Sequence, residues 1–169
     1  MSERGLPPVS RRRALAAGTA IALASATATS ARAAAPSAVE QLERLLALEH
    51  RLEAAYETAL ARDAIEPRLG KVLLSHEREH VRGLEGSLRG RGSPRASVPP
   101  PGAGTAFAGR AAFARHALGL EAETLAAYQE VLPTLRTERL LLPLAAIMAS
   151  GAQHRVALRQ AAGGDLLGA

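Results

Sequence analysis

The chain has no cysteine and no tryptophan, and only 2% of its residues are aromatic. The first absence excludes disulfides, thiolate metal sites and a lipid-anchored cysteine. The shortage of rings leaves little to stack on nucleobases. It also requires a core of Leu, Ala, Val and Ile, a composition that favours helix over sheet. Alternating runs of Val, Ile and Thr, the mark of half-buried strands, are missing. So are a glycine-rich phosphate loop and a Ser-His-Asp arrangement; Gly102-Ala103-Gly104 sits in a proline-rich stretch and carries no nucleotide signal. The net charge of +5 suggests an acidic partner until its distribution is considered. Residues 1–33 carry Arg4, Arg11, Arg12, Arg13 and Arg32 against Glu3 alone, a net of +4, which leaves +1 on residues 34–169. No basic stripe remains, so nucleic acid is not an expected partner.

What is present begins with an address. Ser10-Arg11-Arg12-Arg13-Ala14-Leu15 resembles the twin-arginine export motif. A mild apolar stretch from Ala14 to about Ala26 follows, too short and too rich in Ala and Thr for a stable membrane span. Ala31-Arg32-Ala33 then reads as a small-x-small cleavage site. Residues 1–33 are therefore expected to be a cleaved signal segment and residues 34–169 the mature domain, exported to the periplasm, envelope or exterior. That route carries folded proteins, often with a cofactor already in place.

Four helical periods follow. Ser37 with Glu40 three residues on forms a capping box, and Leu42, Leu45, Leu46, Glu49, Leu52, Tyr56 and Leu60 keep 3/4 spacing to about Asp63. A second helix opens at Pro67, a favoured first-turn residue, and carries Leu69, Leu73, Glu77, His80, Leu84 and Leu88 on one face. Residues 91–104 form a Pro/Gly/Ser-rich linker without apolar period. The third helix is expected from about Thr105 to Leu132, with Leu118, Glu121, Leu125, Tyr128 and Leu132 inward. Residues 134–142 read as a turn or short helical piece. The fourth helix is expected from near Pro143 to about Ala162, with Leu144, Ile147, Gly151, His154 and Leu158 inward. Two tight hairpins joined by one long crossover describe an all-α, antiparallel four-helix bundle of ferritin-like connectivity.

The halves repeat. Glu49 and Tyr56 recur as Glu121 and Tyr128 at one common offset, and His80 recurs as His154 at nearly the same offset. Each Tyr follows its Glu by two helical turns and so shares a face with it. Glu49 and Glu121 stand where the apolar seams call for Leu. A carboxylate buried alone takes up a proton or finds a cation. Glu77-x-x-His80 on the second helix and His154 on the fourth supply further donors.

This arrangement resembles the ferritin-like superfamily of carboxylate-bridged dimetal proteins, over about residues 38–162. The resemblance implies iron or manganese, with Glu49 and Glu121 at the single-Glu positions, Glu77 and His80 as the first Glu-x-x-His, and His154 as the histidine of the second. It departs at Gly151, where the second motif has Glu. Three arrangements stay open: one ion near Glu49, Glu77 and His80; a weakened pair completed by water or by Glu53, one turn from Glu49; or a metal-free bundle serving as an envelope binding module. Tyr56 and Tyr128 either bond the carboxylates or simply pack. His50 and His76, each one residue from a seam Glu, are expected to point outward. A homodimer is allowed, no stable membrane span is expected after processing, and a protein partner is not specified by the sequence.

Overall fold

The structure, a computed structural model, describes residues 36–93, 107–135 and 138–163, all within the unit Ala35–Ala169. The signal segment and most of the crossover lie outside the described residues. The described residues form four helices: α1 (Ala38–Ala61), α2 (Pro67–Arg89), α3 (Arg110–Val131) and α4 (Glu138–Ala161). No strand occurs among the described residues, and none of their helices is long and apolar enough to cross a membrane.

The ends of α1 and α2 follow from local chemistry. Ser37 Oγ accepts from the Glu40 amide at 3.2 Å, and Glu40 accepts from the Ser37 amide at 2.6 Å, closing the capping box. At α2, Pro67 leaves no orphan amide, and the Glu66 carboxylate caps Arg68 and Leu69 at 2.9 and 2.6 Å. The α1–α2 turn places Asp63 at φ 52, a conformation that Asp tolerates better than bulkier residues. Gly70 lets α2 close on this turn: a Cβ there would lie 2.7 Å from both Leu60 and Ile65.

The helices form a ring in which α1 packs on α2 and α3, and α4 on α3 and α2. Among the described residues, the diagonal pairs make no close backbone approach. The α1–α3 pair is antiparallel. Arg44 meets Glu130 at 2.8 Å and, one heptad on, Arg51 meets Glu123 at 2.7 Å, so the numbers run in opposite senses. Both pairs are exposed and mark register more than they stabilise. Leu88 belongs to the same apolar cluster as Leu42 and Leu144, while Phe113 belongs to a second cluster with Leu73 and Leu158. The crossover from α2 to α3 therefore joins opposite ends of the bundle, the ferritin-like connection.

Three expectations need correction. The third helix starts at Arg110, not near Thr105, because Gly109 at φ 92 breaks the chain direction; Thr105 itself lies outside the described residues. The fourth helix starts at Glu138, ahead of Pro143 rather than at it. A proline within the first two turns removes one helical bond, and Leu140 and Leu144, buried one turn apart, hold that segment in the core. The buried face of α3 is also rotated from Leu118, Leu125 and Leu132, which are half-buried, toward Ala117, Glu121, Thr124, Ala127 and Tyr128. Ala117 belongs to the apolar cluster of Tyr56, and Ala127 to that of Tyr128.

Candidate metal centre

Between the two apolar clusters lies a polar layer. It contains Glu49 from α1, Glu77 and His80 from α2, Glu121 from α3 and His154 from α4, all buried. The five residues singled out in the sequence are thus brought together. Their donor atoms form two groups, Glu49–Glu77–His80 and Glu77–Glu121–His154, each with its atoms within 4.8 Å of one another.

The layer has a near-twofold design that follows from the repeat. His80 Nδ1 lies 3.2 Å from Glu49 Oε2, and His154 Nδ1 lies 3.1 Å from Glu121 Oε1. The tyrosines cross over: Tyr128 donates to Glu49 at 2.7 Å, and Tyr56 donates to Glu121 at 2.8 Å. Each hydroxyl therefore bonds the carboxylate of the other half, made possible by the antiparallel α1–α3 packing. Burial raises both phenol pKa values, and the neighbouring carboxylates add to that effect, so both stay protonated donors.

Glu77 is shared. Its Oε2 lies 3.4 Å from His80 Nδ1 and its Oε1 lies 2.9 Å from His154 Nδ1. Neither contact has hydrogen-bonding geometry, and both oxygens are buried without a hydrogen-bond partner. The two imidazoles are its facing partners, one at each oxygen. Burial pushes Glu77 upward, but the two histidines outweigh it and hold the carboxyl down at about 2. Burial likewise lowers both imidazoles, yet Glu49 and Glu77 bring His80 to about 9, and Glu121 and Glu77 bring His154 to about 9. Glu49 is raised to about 7, chiefly by burial. Without metal, two imidazolium ions thus hold the carboxylates in place.

The donor set fits metal ions. Imidazole nitrogen and carboxylate oxygen suit first-row transition metals, and the shared Glu77 has one unsatisfied oxygen facing each half. A buried anion left without hydrogen bonds is costly, and a cation relieves it.

Two neighbours differ from expectation. Glu53 does not join the donors: it pairs with His50 and with Arg78, each at 3.3 Å. His76 does not point outward. Its Nδ1 lies 3.0 Å from His154 Nε2, with ring centroids 5.3 Å apart and planes 13° apart. His154 therefore presents Nδ1 to the carboxylates while its far nitrogen is held by His76 and, at 3.2 Å, by Ser150. A ligand histidine fixed through its second nitrogen is a common supporting arrangement. The signal was available: helix α2 has two neighbours, and residues about 100° apart face different ones.

A four-helix bundle with paired Glu and His donors between two apolar clusters is the architecture of the carboxylate-bridged metal proteins. The sequence profile of the ferritin-like domain matches residues 37–164, and the chain belongs to that family. Among solved structures it is similar to a ferritin-like, diiron-carboxylate protein from Bacillus anthracis strain Ames, with a TM-score of 0.65 and 18% identity over 74% of this chain and 94% of that one. That likeness bears on the fold. None of the curated proteins compared with it matches the sequence.

Proposed function

We propose that this chain is an exported ferritin-like protein that holds iron or manganese in the Glu49, Glu77, His80, Glu121, His154 layer. The observation that carries this reading is Glu77: a buried carboxylate with both oxygens free of hydrogen bonds, each facing one Glu/His pair. Glu77 would be the ligand common to two ions, with Glu49 and His80 completing one half and Glu121 and His154 the other. Tyr56 and Tyr128 orient the outer carboxylates. Iron or manganese bound there supplies redox chemistry, which supports a role in metal oxidation or sequestration. Export rests on the order of arginines, apolar stretch and cleavage site in residues 1–33.

The test is metal-linked stability. Protein stripped of metal and then given Mn(II) at about 100 times its Kd gains roughly 3 kcal/mol, which raises Tm by about 10 °C. No shift with Mn(II), Fe(II) or Zn(II) would reject the reading and leave the metal-free binding module.

A further inference from the structure

Two of the differences between the halves of the metal layer meet in one cavity. Where α2 has Glu77, α4 has Gly151 at the matching position of the repeat; where α1 has Leu52, α3 has Thr124. Glu77, Glu121, Thr124 and Gly151 line one cavity of about 10 Å³ that also reaches Glu49, Leu52 and His80 of the other half, the size of one water molecule. Thr124 is 5% exposed, and its hydroxyl is buried without a hydrogen-bond partner. A helical threonine ordinarily bonds a carbonyl of the preceding turn, so an orphan here is costly. Gly151 keeps the space open: a Cβ there would lie 3.3 Å from Glu121 Oε2, tight against the carboxylate. One half has thus exchanged an apolar wall and a carboxylate for a hydroxyl and a void.

We infer that this cavity is a site for one small exogenous donor, water or a fluoride-sized anion, beside the Glu77 and Glu121 carboxylates at the place that Gly151 leaves open. The inference rests on the metal reading above. Thr124 donates its hydroxyl to the bound species, and Gly151 admits it where the second Glu-x-x-His would place protein oxygen. Size restricts the class: a ligand much larger than water collides with Glu121 or with Ile147 and Met148, which also line the space. The two substitutions act together. Glycine opens the space, and threonine adds the one hydroxyl in its wall that has no hydrogen-bond partner.

The experiment uses Mn(II)-loaded mature protein, with bound Mn(II) counted by equilibrium dialysis for every variant. Broadening of the Mn(II) EPR lines by H₂¹⁷O counts coordinated water, and fluoride is the competing anion. The expected result is fluoride-displaceable water in the wild type and one bound water fewer in Gly151→Glu. Gly151→Ala, a smaller change that fills the cavity with a methyl group, loses the fluoride response as well. Thr124→Val weakens fluoride about tenfold, the worth of one hydrogen bond to an anion. Equal water counts in wild type and Gly151→Glu, or unchanged fluoride affinity in Thr124→Val, overturns the inference while leaving the metal reading intact. A wild-type protein that takes up no Mn(II) overturns both, and the dialysis count separates that failure from the first.

Discussion

Glu77→Gln abolishes metal binding in both halves of the centre, while Glu49→Gln or Glu121→Gln weakens one half. The difference follows from position. Glu77 belongs to both donor groups, and each of the other carboxylates belongs to one. Glutamine keeps the volume of the side chain and removes its charge, so packing loss does not confuse the result. The variant is also less stable without metal. Two imidazolium ions, each raised to about 9, face Glu77. Breaking a buried ion pair by neutralising one member costs about 3–5 kcal/mol, and proton release from a histidine brings the cost toward the lower end. A drop in Tm of about 10 °C is expected by thermal melt, together with the absence of any Mn(II)-dependent rise. Wild-type Mn(II) uptake by Glu77→Gln would place the metal elsewhere.

The metal-free protein should weaken as pH rises, while the stability gained from metal grows. His80 and His154 bind their protons more tightly folded, at about 9, than unfolded, at 6.5. The stability they contribute is full below pH 6.5 and is lost as pH rises through 9. Glu49, raised from 4.5 to about 7, acts in the same sense: its contribution is full below pH 4.5 and lost as pH rises through 7. Glu77, lowered from 4.5 to about 2, acts oppositely: its contribution is present above pH 4.5 and lost as pH falls through 2. The metal-free protein is therefore expected to lose roughly 5–10 °C in Tm between about pH 6 and pH 9. Ligand histidines must be deprotonated to hold metal, so binding releases protons and strengthens with pH. The rise in Tm on adding Mn(II) should grow from about pH 6 to pH 8. Parallel pH profiles with and without Mn(II) would mean that the imidazoles are not ligands.

The parts legible in the sequence share one property: they depend on spacing within a single helix. Ser37 and Glu40 cap α1 because three residues bring their groups together. Glu49 and Tyr56 share a face, and so do Glu77 and His80, because the helical period dictates it. The repeat carries this across helices, since a duplicated hairpin places Glu121 opposite Tyr56 and Glu49 opposite Tyr128. What is not legible depends on neighbours. Glu53 is one turn from Glu49, but Arg78 and His50 draw it away from the centre. His76 turns toward α4 and meets His154; the angular spacing on α2 allows it to face a second neighbour, but which residue it meets depends on how α4 packs. Pro143 signals a helix start in the sequence, whereas burial of Leu140 and Leu144 carries α4 through it. Gly151 reads in the sequence as a missing ligand. The structure adds the unpartnered hydroxyl of Thr124 in the same cavity, and a leucine-to-threonine difference between repeats is easily passed over in a sequence.

The central claim is that the buried Glu/His layer holds metal, and a metal count tests it most directly. Residues 34–169, exported in folded form and purified without chelator, should carry iron or manganese by elemental mass spectrometry, at about one to two ions per chain. The Glu77→Ala, His80→Ala double variant should carry none. Wild-type protein free of metal after incubation with Fe(II) and Mn(II), or a double variant with undiminished metal, would contradict the account.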